Sequence, residues 1–298
     1  RYHRGRISTL YYIDRIEVLF MKIQYLGTAA AEGVPSLFCE CERCVRSRRL
    51  GGRNIRTRTQ ALVDGRILID FPPDTYAHFL RYNLPLHKIE TCLITHSHAD
   101  HLYPEDLEYR MRGMYAVLRD RPPLVLYSDK DGYERIRAMI DHVGMPETDL
   151  QVRRVSAFQP FTVEGYEVMP VLAAHDPRSD PLLYVLQKDG KSLFYANDSS
   201  EYCEQTLKCL ESLGHPLTVI SLDCTDGNGH ATYMGHMNLG RCMALREALY
   251  ARGIADGNTI FVLNHFSHNG LGVVYDDFVP LAEQEGFLTA YDGMVLEF

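Results

Sequence analysis

The chain has 298 residues, 46% of them hydrophobic and 23% charged, which is the make-up of a globular protein with a large core and excludes a disordered or fibrous one. Its formal charge of -8 argues against a broad nucleic-acid surface, because such surfaces work by neutralising phosphates with Lys and Arg. A small anionic substrate stays compatible with that charge where bound metal supplies a local positive field.

Residues 1–20 mix Arg, Tyr, Asp and Ile without a signal-peptide layout, and no apolar run reaches the length of a membrane span. Two readings stand side by side: a leader upstream of a natural start at Met21, or a real N-terminal strand. Residues 21–298 show no repeat and no Pro/Gly/Ser linker, so a single domain is expected. The segment Cys39-Glu40-Cys41-Glu42-Arg43-Cys44 then puts three thiols in a polar stretch. Thiolates at this C-x-C-x-x-C spacing suit tetrahedral zinc, which wants a fourth ligand; reduced thiols without a role are the plainer alternative. The other five cysteines (Cys92, Cys203, Cys209, Cys224 and Cys242) sit in apolar, helical or strand-like surroundings. Scattered thiols with one cluster fit a reducing cytoplasm better than a disulfide framework.

Further on, Ala61–Val63, Asp64-Gly65 and Ile67–Ile69 predict a β-hairpin, since Asp-Gly readily takes the φ > 0 conformations of a tight turn. A helix is expected over Asp74–Tyr82 and a buried strand over Thr91–Thr95. Directly after that strand come His96, His98, Asp100 and His101, four potential ligands in six residues. They cannot all be buried without partners. On a loop at a strand end, His96 and His98 can share one ion while Asp100 and His101 turn towards a second. Pro104, followed by Glu105 and Asp106, marks a helix start. Strand Leu124–Tyr127 and helix Tyr133–Val143 follow, then hairpins turning at Gly165 and at Asp189-Gly190. Helix Glu201–Leu213, strand Leu217–Leu222, helix Leu239–Arg252, strand Thr259–Leu263 and helix Asp276–Glu285 complete the pattern. Hairpins interleaved with helices, with candidate ligands at strand ends, predict an α/β protein of sheets covered by helices.

The His-x-His-x-Asp-His run resembles the signature of the metallo-β-lactamase superfamily, and the resemblance implies a four-layer αβ/βα sandwich. It also implies further ligands, for which strand ends here offer His175, Asp198 and His265. His175 would complete the first metal site, Asp198 would bridge both ions, and His265 would complete the second. Asp70, ending Ile67–Ile69, matches the family's carboxylate that orients ligands. Taken singly, each histidine is equally a satisfied structural residue, and Asp198 a helix N-cap before Glu201. The Leu26–Pro35 segment, the cysteine cluster, Asn264–His268 and Tyr291–Met294 are similar to the cyclic-phosphate phosphodiesterases of the carbon–phosphorus lyase pathway. That likeness implies a structural zinc on Cys39, Cys41, Cys44 and His268, and an additional active-site histidine at His236. Residues Tyr103–Asp120 and Asp226–Met234 depart from that family and are expected to flank the site entrance.

The expected activity is therefore that of a dinuclear metal hydrolase cleaving a small, cyclic or linear, phosphodiester. Two divalent ions, zinc, manganese or iron, would lower the pKa of a bridging water, and His236 would protonate the leaving alkoxide. The competing readings are an acyl hydrolase acting on a thioester or lactone, and a non-catalytic biosynthetic accessory protein of the same fold. No nucleic-acid polymer and no membrane is expected as a partner, and a homodimer is left open.

Overall fold

The computed structural model describes residues 20–176, 178–230, 235–269 and 274–298. Strands β1 (Lys22–Gly27), β2 (Gln60–Val63), β3 (Ile67–Ile69), β4 (Thr91–Leu93), β5 (Leu124–Ser128) and β6 (Leu150–Arg154) lie side by side in that order. A second sheet runs in reverse order from β13 (Leu288–Thr289) through β12 (Ile260–Asn264), β11 (Val219–Asp223), β10 (Lys191–Ala196), β9 (Leu182–Lys188) and β8 (Tyr166–Leu172) to β7 (Phe161–Val163). Strand β14 (Val295–Glu297) returns to pair with β1, so each sheet has seven strands among the described residues.

The side-chain period of two in a strand explains why these sheets stack. Ile23, Tyr25, Ile67, Ile69 and Leu93 of the first sheet meet Tyr166, Tyr184, Leu186, Leu193, Tyr195 and Val219 of the second, forming the core between them. The alternate residues face outwards. Leu26, Leu68, Cys92 and Leu126 meet helices α2 (Thr75–Tyr82) and α3 (Lys130–Val143). On the far side Leu183, Val185, Phe194, Ile220 and Leu263 meet α4 (Glu204–Glu211), α5 (Leu239–Ala251) and α6 (Tyr275–Gln284). Helix, sheet, sheet, helix is the expected four-layer sandwich. Strands buried on both faces read as continuous apolar runs, each large side chain contributing ~1.5–3 kcal/mol by burial.

The expected hairpins form, with positive φ at Asp64, Gly65, Asp189 and Gly190. In three local respects the structure departs from the sequence reading, adds to it or decides between its alternatives. The turn at Pro104 is a 3-10 helix, Pro104–Arg110, rather than an α-helix. A helix that the sequence reading missed, Glu42–Leu50, follows the cysteine cluster; it buries only Cys44 and Ser47, so it lacks an apolar stripe to reveal it. Asp198 is not a helix cap, because α4 begins at Glu204 behind Cys203. The leader over residues 1–20 lies outside the described residues apart from Phe20. No helix among the described residues is long and apolar enough to cross a membrane.

Candidate metal centre

The candidate ligands of the histidine cluster sit just beyond the ends of β4, β8, β10 and β12, with Asp70 just beyond β3, along one rim of the sandwich. Close approach shapes the neighbouring wall: a Cβ on Gly27 would lie 2.0 Å from the Arg58 carbonyl oxygen, so only glycine lets β1 turn here. Asp70, Asp198 and His265 all have positive φ, at 65°, 59° and 63°. Non-glycine residues in this region are uncommon and mark places where the surrounding fold holds a side chain in a required direction.

Three sets of four donor atoms lie within 4.8 Å of one another: His96, His98, His175 and Asp198; Asp100, His101, Asp198 and His265; and Asp198, Asp223, His236 and His265. Asp198 belongs to all three. Its Oδ2 is 3.2 Å from His96 Nε2 and 3.0 Å from His101 Nε2, while Oδ1 is 3.3 Å from both His175 Nδ1 and His236 Nδ1. Outer partners fix the ring orientations. His101 Nδ1 is 2.7 Å from Asp70 Oδ2, and Asp70 Oδ1 accepts from the Thr95 N–H at 2.8 Å. His265 Nδ1 is 2.8 Å from Thr225 Oγ1, so its Nε2 faces inwards. Asp176, unforeseen in the sequence, stands 3.5 Å behind His98 Nε2, with the Arg178 guanidinium holding its carboxyl well below the usual range.

This donor set fits divalent cations. Buried polar atoms are normally paired, yet among the described residues His101 Nε2, Asp198 Oδ1 and His265 Nε2 make no hydrogen bond of good geometry despite their close polar neighbours. Nitrogen also faces nitrogen, at 2.9 Å between His96 Nε2 and His98 Nδ1. Burial lowers His96 and pushes His175 down to about 4, keeping neutral the imidazoles that a metal needs. Against its burial, Asp100 and Asp70 raise His101 well above its ordinary value, and a cation among these groups would replace that proton.

His236 lies beside this cluster on Asp223, a residue that the sequence reading did not single out. The Asp223 carboxylate is fully buried and accepts from Thr225 N–H (3.0 Å), Met237 N–H (2.8 Å) and Thr225 Oγ1 (2.9 Å), with His236 Nδ1 at 3.0 Å. Burial opposes charge on His236, but Asp223 and then Asp198 raise it to about 9. Cations bound next to it would draw that value back towards neutrality. The available signal was position: Asp223 ends an apolar strand just as Asp70 follows β3.

Cys39, Cys41, Cys44 and His268 also bring four donors within 4.8 Å. Backbone N–H groups of Ser36, Cys41 and Cys44 point at the sulfurs of Cys44, Cys39 and Cys41, at 3.3, 3.4 and 3.5 Å. Against a burial effect that raises it, His268 and the Cys44 N–H lower Cys41 to about 6, while burial pushes Cys44 up to about 11. Donors aimed at sulfur suit thiolates around a cation.

A cavity of about 310 Å³ opens over the histidine cluster, walled by Glu32, Thr225, Asp226 and Asn269 beside the candidate ligands. Residues 231–234 of the Asp226–Met234 segment lie outside the described residues. The Tyr103–Asp120 segment does not reach this cavity; Leu107, Tyr109 and Leu118 line a separate apolar one of about 230 Å³ against Leu68 and Phe71. Packing on the outer face of the first sheet accounts for these residues.

No curated protein matches the sequence significantly. A diphosphatase of the PhnP family is similar in structure, with a TM-score of 0.72, 23% identity, and coverage of 94% of this chain and 98% of that one. Zinc-bound PqqB from Methylobacterium extorquens gives 0.69 at 19% identity over 93% and 100%. The short form of human tRNase Z gives 0.62 at 16% identity over 92% and 98%. At these identities the likeness establishes the fold. The family model described as a beta-lactamase superfamily domain matches residues 65–262, more than half of the chain. With that match, the sandwich and the clustered donors in agreement, the chain belongs to the metallo-β-lactamase superfamily.

Proposed function

We propose that this metal-dependent hydrolase cleaves small phosphodiesters with two divalent ions held at the histidine cluster. The carrying observation is that Asp198 joins the two four-donor sets built on His96 and His101, and that the buried carboxylate–imidazole pair Asp223 and His236 adjoins it in a third. In this reading His96, His98, His175 and Asp198 hold one ion, and Asp100, His101, Asp198 and His265 the other. Zinc, manganese and iron all suit these nitrogen and oxygen donors. Bound ions supply a nucleophilic water at neutral pH and positive charge for the phosphoryl oxygens. Asp70 and Thr225 hold the rings of His101 and His265 in place. His236 donates a proton to the departing alkoxide from Nε2, since its Nδ1 is committed to Asp223. A structural zinc sits on Cys39, Cys41, Cys44 and His268.

The proton donor favours phosphodiesters over thioesters. An alkoxide is a poor leaving group that needs a proton, whereas a thiolate departs without one. Two similar structures carry the names diphosphatase and tRNase, both of which denote phosphoryl chemistry. A 310 Å³ cavity suits a small molecule rather than a polymer groove. Eight cysteines that form no disulfide, three of them gathered as thiolate ligands, suit a reducing compartment such as the cytoplasm. The test is kcat/KM measured side by side on bis(p-nitrophenyl) phosphate, p-nitrophenyl phosphate, a thioester and a lactone. The diester should be turned over fastest; faster cleavage of the thioester or lactone would move the assignment to acyl transfer.

A further inference from the structure

Among the described residues the wall of the metal cavity carries carboxylates and no Lys or Arg. Apart from the candidate ligands and His236, its polar lining is Glu32, Thr225, Asp226, Ser267 and Asn269. Nearby arginines spend donors on main-chain oxygens: Arg58 Nε on Ala31 (2.8 Å), Arg43 Nη1 on Ser267 (2.6 Å) and Arg241 Nη1 on His236 (2.7 Å). Glu32 is half-buried and held in place. Its Oε1 accepts from Asn269 Nδ2 at 2.5 Å and its Oε2 from Ser267 Oγ at 3.4 Å. These bonds tie the segment after β1 to the segment that carries His265 and His268.

Among the described residues no Lys or Arg lines this cavity, and the Arg43 guanidinium, which interacts with Asp226, is tied to the Ser267 carbonyl, so bound ions and His236 would supply the positive charge that meets one diester phosphate. Further out, a substrate meets a fixed carboxylate and an amide. A carboxylate accepts hydrogen bonds and repels anions. We propose that Glu32 and Asn269 form a specificity subsite for a hydroxyl on the organic part of a singly charged phosphodiester, and that the same carboxylate rejects substrates bearing a second phosphate. The inference rests on the phosphodiesterase reading above and sharpens it to a diester whose organic part is uncharged and bears hydroxyls.

One nucleotide scaffold tests it. Adenosine 2′,3′-cyclic phosphate is prepared with a 5′-hydroxyl, a 5′-hydrogen or a 5′-phosphate, and kcat/KM is measured for each beside bis(p-nitrophenyl) phosphate. The wild-type values should fall in the order hydroxyl, hydrogen, phosphate, by roughly tenfold or more per step, the usual effect of leaving a charged acceptor unmatched or facing a like charge. Glu32→Gln keeps an acceptor without the charge, so the penalty on the 5′-phosphate should shrink while part of the hydroxyl preference survives. Glu32→Ala should flatten the series. Wild-type rates that are equal across the series, or highest for the 5′-phosphate, overturn the subsite. So does a series left unchanged in both variants, each shown by circular dichroism and metal analysis to be folded and loaded. Turnover of bis(p-nitrophenyl) phosphate with a flat series rejects the subsite alone, whereas no turnover of any diester rejects the phosphodiesterase reading and the subsite with it.

Discussion

Replacing Asp223 by asparagine should slow the reaction without releasing a catalytic ion. The carboxylate is fully buried, and its Oδ1 takes the N–H groups of Thr225 and Met237, bonds that an asparagine oxygen reproduces. The amide nitrogen then occupies the Oδ2 position, where it cannot accept from Thr225 Oγ1 or from His236 Nδ1, 2.9 and 3.0 Å away. A hydrogen bond to a charged group is worth ~1.5–3 kcal/mol, so the loss should be ~10–10²-fold in kcat. His236→Ala removes the proton donor itself and should cost roughly 10²–10⁴-fold. Because Asp223 acts through His236, the double variant should be no slower than His236→Ala alone. Rates are measured on a diester with an alkoxide leaving group and on bis(p-nitrophenyl) phosphate, with metal content determined for each protein. The deficit should shrink for p-nitrophenolate, which leaves with little help. The competing role is ligation, since Asp223 and His236 share a four-donor set with Asp198 and His265. Loss of an ion, equal slowing of both substrates, or multiplicative losses in the double variant would refute the proton-donor account.

Asp198→Ala should behave differently from either, losing metal as well as activity in elemental analysis, because Asp198 belongs to both four-donor sets, with Oδ2 against His96 and His101 and Oδ1 against His175. Cys41→Ser should lose about one zinc per chain and, because His268 lies three residues from His265, should also weaken catalytic-ion binding in a chelator titration; unchanged zinc removes the structural site. His78 gives a stability effect with a definite sign. Burial between Thr57 and Gln60 lowers it from 6.5 to about 4, so below pH 6.5 the unfolded chain takes up a proton that the native ring refuses. Stability is lost as pH falls from 6.5 to about 4, by at most ~3 kcal/mol, and denaturant melts of His78→Gln should show a shallower slope over that window.

Much of this was legible because the constraints are local. Asp-Gly and Glu-Gly turns force positive φ and set the hairpins at Asp64, Glu164 and Asp189. The candidate ligand histidines declare themselves because His96 to His101 is dense in donors that burial alone would leave unmatched. What escaped depends on partners distant in sequence. Asp223 gains its meaning from His236 and Met237, brought back after a loop of a dozen residues. Asp176 is defined by His98, 78 positions earlier. Asp292 is recognisable as a motif residue, but its work shows only in space, where it accepts from Thr28 Oγ1 at 2.7 Å and from Thr57 N–H at 2.7 Å. Similarly, the path of Tyr103–Asp120 is decided by the apolar surface around Leu68 and Phe71, which no local signal in that segment reveals.

The central claim is that two ions at the histidine cluster make this chain a phosphodiesterase. Its most direct test is metal titration of chelator-stripped protein, following hydrolysis of bis(p-nitrophenyl) phosphate against zinc or manganese added per chain. With the thiolate site filled first, activity should rise and level off once two further equivalents are bound, and the same titration of Asp198→Ala should stay flat. Full activity with the histidine cluster empty, or fully loaded protein that hydrolyses no phosphodiester, would contradict the account.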